Sequence, residues 1–332
     1  MRILLWHVHG GWTDAFVRGP HVYLVPTTPA RDAWGLGTGG RDWPNVVEIA
    51  PEDVADADVD VVVLQRTEEA EVARTLLGGR DVPMVFVEHN APRLDVPDSL
   101  HPFRDHDDVT IAHVTHWNAL MWDCGSTRTT VVEHGVVDPG PLYSGRLERF
   151  GAVINEPVRR NRVVGTDLLP RFADVAPVDV FGMGTEHLAD LGHGDRLVGL
   201  GDVAPDPMHA ALAERRAYLH PHRWTSLGLS LIEAMHLAMP VLVLATTDAV
   251  RTVPADAGAI ATDVAELTRA SRLLVDDPDE ARRRGAVARE AALARHSLAR
   301  FSADWDQLLD DVVSRHRRAR RTTSPALEGS TR

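Results

Sequence analysis

The stretch 219–235, Leu-His-Pro-His-Arg-Trp-Thr-Ser-Leu-Gly-Leu-Ser-Leu-Ile-Glu-Ala-Met, reads as a strand end, a glycine-bearing loop and a helix, with a second apolar strand over 241–244. Backbone N–H groups around Gly228 and Leu229 at such a helix start have no intrahelical acceptor. Together with the helix dipole they favour an anion such as a diphosphate. Glu233 lies about one helical turn further along, where a carboxylate can accept two hydrogen bonds from a vicinal diol such as a ribose. The alternative is an amphipathic helix that happens to carry a glutamate. His89 follows directly on the apolar run 84–87, where an imidazole can donate to a sugar hydroxyl or a phosphate, unless its neighbours satisfy it as a structural histidine.

Four other patterns carry less. Gly35-Leu36-Gly37-Thr38-Gly39-Gly40 satisfies the G-x-G-x-x-G string of dinucleotide sites, but no strand delivers it and no helix follows, so a flexible loop is expected. Asp58-Val59-Asp60 opens an apolar strand rather than ending one and reads as a strand cap, not a metal site. His7, His9, His89, His220 and His222 show no zinc-ligand spacing, so no metal or other cofactor is expected. Trp6, Trp12 and Trp117 could stack on sugar rings or fill the core.

Composition narrows the classes further. A chain of 332 residues, 44% apolar, can fill two cores, and its net charge of −13 disfavours a nucleic-acid partner. The one basic cluster, at 315–321, reads as a solvated tail. All 35 basic residues are arginine, so Schiff-base chemistry on lysine is excluded and any phosphate clamp must be a guanidinium. A single cysteine, Cys124, excludes an internal disulfide and fits a reducing cytoplasm. No segment approaches the roughly 20 apolar residues of a membrane span, which leaves peripheral membrane contact open.

Apolar runs at 3–8, 59–64, 84–87, 109–114 and 130–132, and again at 152–154, 178–181, 217–219 and 241–244, are the continuous strands of parallel sheets covered on both faces. Helical stretches at 68–77, 116–122, 206–215 and 229–237 lie between them. The chain therefore reads as α/β, with two doubly wound parallel-sheet domains joined through the Pro- and Gly-punctuated segment 138–149. The expected domains are 1–145 and 150–297, followed by a helix over 298–315 and a disordered tail over 316–332. In such folds ligands gather beyond the carboxyl ends of the strands.

The segment TSLGLSLIEAMHLAMPVL resembles the EGFGLPLLEAMACGTPVV-like segment of glycosyltransferase family 4, at Gly228, Leu229, Leu231, Glu233, Ala234, Met235 and Pro240. Further similar features fall in order on both sides. Gly165-Thr166-Asp167-Leu168-Leu169 resembles the family's KGxDLL helix start, Phe181-Gly182-Met183-Gly184 the glycine-bearing end of its next strand, and 198–203 its FLGYV-like strand. Residues 87–92 resemble the segment holding the active-site histidine, here His89, and 134–138 the NGVD segment. Gly10 and Gly11 stand where the family has a glycine loop near donor phosphate and acceptor.

The resemblance implies a GT-B fold with two Rossmann-like domains facing across a cleft, and a final helix that crosses back to the first domain. It also implies retaining hexosyl transfer from a nucleotide-sugar donor to an unidentified acceptor; with helix amides near Gly228 and an arginine to meet the diphosphate, and no D-x-D at a strand end, the transfer is expected to be metal-independent. Donor contacts are implied for Gly10, Gly11, Gly182, Met183, Gly184, Gly228, Leu229 and Glu233. Two positions depart from the family. Thr225 replaces the first motif glutamate, so Thr225 or Ser226 is expected at the sugar, and Val164 replaces a diphosphate-gripping lysine, so Arg159, Arg160 or Arg162 is expected to supply the charge. Those departures also suit a non-catalytic nucleotide-sugar binder or partner subunit on the same fold. An epimerase gains nothing specific, and a pyridoxal-phosphate phosphorylase would need the missing lysine.

Overall fold

The computed structural model describes residues 1–323, which form two compact units. Among the described residues the first contains Met1–Glu133 and 299–323; the second is His134–Leu298.

The first unit is built on seven strands: β1 (Arg2–Leu5), β2 (Val22–Pro26), β3 (Val46–Ile49), β4 (Val61–Leu64), β5 (Met84–Glu88), β6 (Val109–His113) and β7 (Arg128–Val131). They form one parallel sheet in the order β3-β2-β1-β4-β5-β6-β7. Leu4, Val62, Leu64, Phe86 and Ile111 fill one side of it. The second unit carries β8 (Leu147–Val153), β9 (Val178–Phe181), β10 (Leu197–Gly201), β11 (Arg215–His220), β12 (Val241–Leu244) and β13 (Gly258–Ala261), parallel in the order β10-β9-β8-β11-β12-β13. Alternation along its strands sends Leu219, Leu242 and Leu244 to one core, and Tyr218, Val241 and Val243 to the other. In both sheets the strand order reverses beside the first strand, between β1 and β4 and between β8 and β11. A crevice opens at the carboxyl ends of strands at such a reversal.

The unit boundary falls at Glu133/His134, ahead of the Pro/Gly segment expected to separate the domains. The cause is hydrogen bonding: His134 O accepts from His296 Nδ1 (2.9 Å), Val136 N donates to His296 O (3.0 Å), and Tyr143 N donates to Leu237 O (3.0 Å). Arg289 clasps Asp138 at 2.8 and 2.7 Å. Residues 134–146 are thus tied into the second unit before its first strand begins.

The last helix, Leu298–Thr323, belongs with the first unit. Phe301, Trp305, Leu309 and Val312 form its buried stripe at spacings of three and four residues. Trp305 packs on Trp12 (centroids 5.6 Å) and Phe16 (4.9 Å), and Arg317 reaches Asp60 at 2.9 Å. Residues 316–323, expected as part of a disordered tail, are therefore helical, because Arg317 has a carboxylate partner and the apolar stripe carries the helix to their start. The rest of that expected tail lies outside the described residues. Asp60 also accepts from Arg2 N (2.9 Å), so its carboxylate joins β4, β1 and the last helix.

Candidate functional site

At the reversal point of the second unit, the ends of β8 and β9 are laced together. Asn155 Oδ1 accepts from Met183 N (3.0 Å), and Glu156 N donates to Met183 O (2.7 Å). Gly182 makes this possible: its φ is +130°, and a Cβ there would sit 2.5 Å from Ile154 O. Met183 is exposed and Gly184 half-buried. Glu156 (φ 54°) and Asn161 (φ 30°) hold left-handed backbone that non-glycine residues adopt at a cost of about 1–3 kcal/mol each, the kind of strain that clusters at ligand sites.

The next turn packs against β11. A Cβ on Gly165, whose φ is +76°, would lie 2.0 Å from Pro221 O, so only glycine lets Val163 O accept from Arg223 N (2.9 Å) and Trp224 N (3.2 Å). Asp167 then accepts two bonds from Arg223 (2.5 and 2.9 Å) and one from Arg162 (3.1 Å). The Arg223 guanidinium, foremost, holds the Asp167 carboxyl below its ordinary range. Of the three expected clamp residues, Arg162 is therefore committed to Asp167, and Arg159 makes a long contact to Glu156 (3.4 Å). Arg160 is half-buried and lies close enough to His222 for its charge to oppose protonation there. Val164 is fully buried in the core, so no charged group occupies that position.

β11 ends in His220 and, after Pro221, His222; their rings stack at 4.1 Å. Both are buried. Desolvation pushes His220 down to about 3 and, with the charge of Arg160 and the neighbouring ring, holds His222 well below its usual value. Neither ring is a cation at neutral pH. Thr225 is half-buried and Ser226 buried in the loop that follows. Gly228, with extended backbone and no side-chain cap, precedes the helix Leu229–His236, whose Leu231, Ile232, Ala234 and Met235 anchor it in the core. Ser230 accepts from Tyr218 Oη (2.9 Å), pinning the first turn of this helix to β11. Glu233 is partly exposed, and its carboxylate lies 3.5 Å from His209 Nε2. The sequence does not single out His209, and Asp167 and Arg223 stand there only as members of motifs.

In the first unit, the end of β1 leads through His7 and His9 into the short helix Gly10–Phe16, with Gly10 half-buried and Gly11 exposed. His9 faces His89 with ring centroids 4.1 Å apart, and Trp12 meets His89 edge-on at 5.3 Å. Burial, then the charge of Arg66, lowers His9. His7 Nδ1 donates to Gly37 O (3.0 Å), and burial lowers its pKa as well. The glycine-rich segment expected to be flexible is thus a turn docked on His7, with Thr38 N also bound to Glu48 (2.8 Å). Trp6 and Trp12 are core residues, 2% and 1% exposed.

The turn carrying His89 is braced. Glu88 accepts from Asn90 N (2.6 Å) and from His101 Nε2 (3.0 Å). His101 Nδ1 accepts from Phe103 N (3.0 Å), which leaves its proton on Nε2, facing Glu88. Trp122 Nε1 donates to Asn90 O (3.0 Å). His7, His9 and His89 belong to the first unit and His220 and His222 to the second. Among the described residues no group of three or more His, Cys, Asp or Glu side chains is placed to hold a metal ion.

Residues 163–277 match the family model described as Glycosyl transferases group 1. No curated protein matches the chain. Solved structures are similar in fold at low identity. HepE from Anabaena, in complex with UDP, superposes with a TM-score of 0.71 at 14% identity, covering 94% of this chain and 100% of that one. Sucrose-phosphate synthase from Thermosynechococcus elongatus gives 0.72 at 14%, covering 95% and 100%. A glycosyltransferase from Rickettsia africae gives 0.69 at 11%, covering 94% and 98%. The fold is GT-B, with two parallel-sheet α/β domains. Among the described residues no helix is long and apolar enough to cross a membrane.

Proposed function

We propose that this chain transfers a hexosyl group from a nucleoside-diphosphate sugar to an acceptor hydroxyl, with retention and without a metal ion. One observation carries the reading. The Gly228–Leu229 helix start, Glu233 and the braced Gly165 turn, all within the segment 163–277 matched by the glycosyl transferase model, are arranged around the β8/β11 reversal point, with Arg160 just ahead of that segment.

The leaving group is a nucleoside diphosphate whose negative charge grows as the glycosidic bond breaks, so catalysis must chiefly stabilise that charge. The N–H groups around Gly228 and Leu229 meet the phosphates, and Arg160, with Arg159 beside it, supplies the cation that the neutral His220 and His222 do not. Glu233 takes the ribose hydroxyls. Thr225 or Ser226 meets the sugar ring with a hydroxyl where the similar family has a carboxylate. Gly182, Met183 and Gly184 border the donor. In the first unit, His89 acts on the acceptor or the transferred sugar, and Gly10 and Gly11 follow directly on His9, whose ring faces His89. UDP in the HepE complexes makes uridine nucleotides the first donors to try.

The test is a thermal-shift screen of nucleoside diphosphates and their sugars, in which a ligand at a hundred times its dissociation constant stabilises by about 2.7 kcal/mol. Donor turnover in EDTA is then measured for the natural chain, Arg160→Ala and Arg162→Ala. Turnover that survives chelation and falls only in Arg160→Ala supports the reading; metal-dependent turnover, or equal loss in both variants, counts against the assigned parts.

A second reading, a nucleotide-sugar binder without turnover, draws on the burial of Val164 and the loss of a carboxylate at Thr225. Ligand-dependent stabilisation with no product from any donor selects it.

A further inference from the structure

Among the described residues, the three most exposed large apolar side chains are Leu120, Leu94 and Leu100, at 79, 78 and 59%. Leu94 and Leu100 form the lips of a groove of about 570 Å³ in the first unit, beyond the ends of β4 and β5. Leu120 lies on the helix His116–Met121, just ahead of Trp122, which lines the groove with Phe86.

We propose that this groove binds an acceptor that carries an apolar aryl or alkyl group attached to the polar end bearing its reactive hydroxyl. The role as acceptor rests on the transferase reading; the binding chemistry does not. A volume of this size lies within the roughly 300–1,000 Å³ of small-molecule sites, which combine apolar walls with a few fixed polar groups. Ala91 and Pro102 extend the apolar wall, and Arg66, Glu68, Arg93 and Asp95 line the groove as well as Asn90. Asn90 is fixed there through its N–H to Glu88 and its carbonyl to Trp122 Nε1. The lip is fixed as well, by the Ser99 hydroxyl donating to Leu94 O at 2.5 Å. Glu88 and Asn90, the two neighbours of His89 in the chain, both line the groove, so a ligand seated on Trp122 with its polar end toward Asn90 lies beside the His89 turn. A wholly polar sugar acceptor would leave Leu94, Leu100 and Trp122 without apolar cover. A ligand with an aryl or alkyl group removes that surface from water, each buried methylene adding about fourfold to affinity.

The experiment titrates the whole protein by calorimetry with octyl, phenyl and methyl β-D-glucosides, the octyl compound below its micelle concentration and without nucleotide. Octyl or phenyl glucoside is expected to bind at least about tenfold more tightly than the methyl compound. The exposed double substitution Leu94→Ser/Leu100→Ser is expected to remove that difference while leaving UDP binding unchanged. The stronger arm, octyl or phenyl, tells an alkyl from an aryl group. Equal affinities for the three glucosides, or an undiminished preference in the double variant, overturns the proposal. So does vesicle binding that the double variant abolishes when no monomeric glucoside binds, since that makes the lips a membrane contact. UDP binding measured alongside keeps the two readings apart: groove binding without UDP binding sinks the transferase reading alone, and the reverse sinks the groove alone.

Discussion

His209 Nε2 stands 3.5 Å from the carboxylate of Glu233, the two residues arriving from separate helices, Pro205–Leu212 and Leu229–His236. At that distance His209 Nε2 makes no hydrogen bond, so the Glu233 carboxylate keeps its accepting capacity for a ligand. Glu233→Gln is expected to weaken UDP binding by about 1.5–3 kcal/mol, the range for hydrogen bonds to a charged group. Calorimetry checks this, and unchanged affinity removes the ribose assignment.

Burial keeps His113 and His220 neutral down to about 3, and His222 stays neutral well below its usual value. Unfolded histidines titrate near ~6.5. Between these limits the unfolded chain binds more protons than the folded one, so stability rises with pH and is lost as pH falls below about 6.5, by at most about 1.4 kcal/mol per pH unit for each histidine. Denaturant melts at pH 7.5, 6.5 and 5.5 are expected to show this slope, and His113→Gln to make it shallower. An equal slope in that variant argues against a buried neutral His113.

Gly165→Ala should destabilise the second unit by at least about 2 kcal/mol, from left-handed backbone together with a Cβ pressed against Pro221 O. Urea denaturation measures the loss. UDP affinity is expected to drop as well, because the Asp167–Arg223 clasp and the Arg160 segment hang on that turn. A variant as stable as the natural chain contradicts the packing described.

Trp305→Ala removes a side chain that is 2% exposed and shared by Trp12, Phe16 and Phe301. Large aromatic truncations of this kind cost about 3–5 kcal/mol. Proteolysis combined with thermal melting should show the loss in the first unit, with the second unit's protection retained. Simultaneous loss in both units would show that they unfold as one.

What the sequence disclosed follows from local physics. β4 and β12 are continuous apolar runs, and such runs announce a buried parallel strand. β3 escaped because it is an edge strand with exposed Val47 and Glu48, and β13 because Gly258-Ala259-Ile260-Ala261 is small and lacks a β-branched run. The Gly35–Gly40 turn looked flexible because its anchor, His7, is 30 residues away in sequence. At the site, the helix start at Gly228 and the burial of Val164 follow from neighbours in the chain. Asp167 with Arg223 and His209 with Glu233 are pairs that only folding brings together, across 56 residues in the first case. Arg159, Arg160 and Arg162 are indistinguishable as letters; Asp167 and His222 separate them.

Because the first unit takes its last helix from beyond the second unit, its two segments leave the ribosome on either side of that whole unit. Trp12 and Phe16 are translated long before Phe301 and Trp305, the aromatic residues that cover them, and the second unit is complete as soon as Leu298 has emerged. On the nascent chain the domain encoded later matures earlier. The first unit's sheet meanwhile waits with an apolar seam uncovered until the helix that begins at Leu298 has emerged to close it.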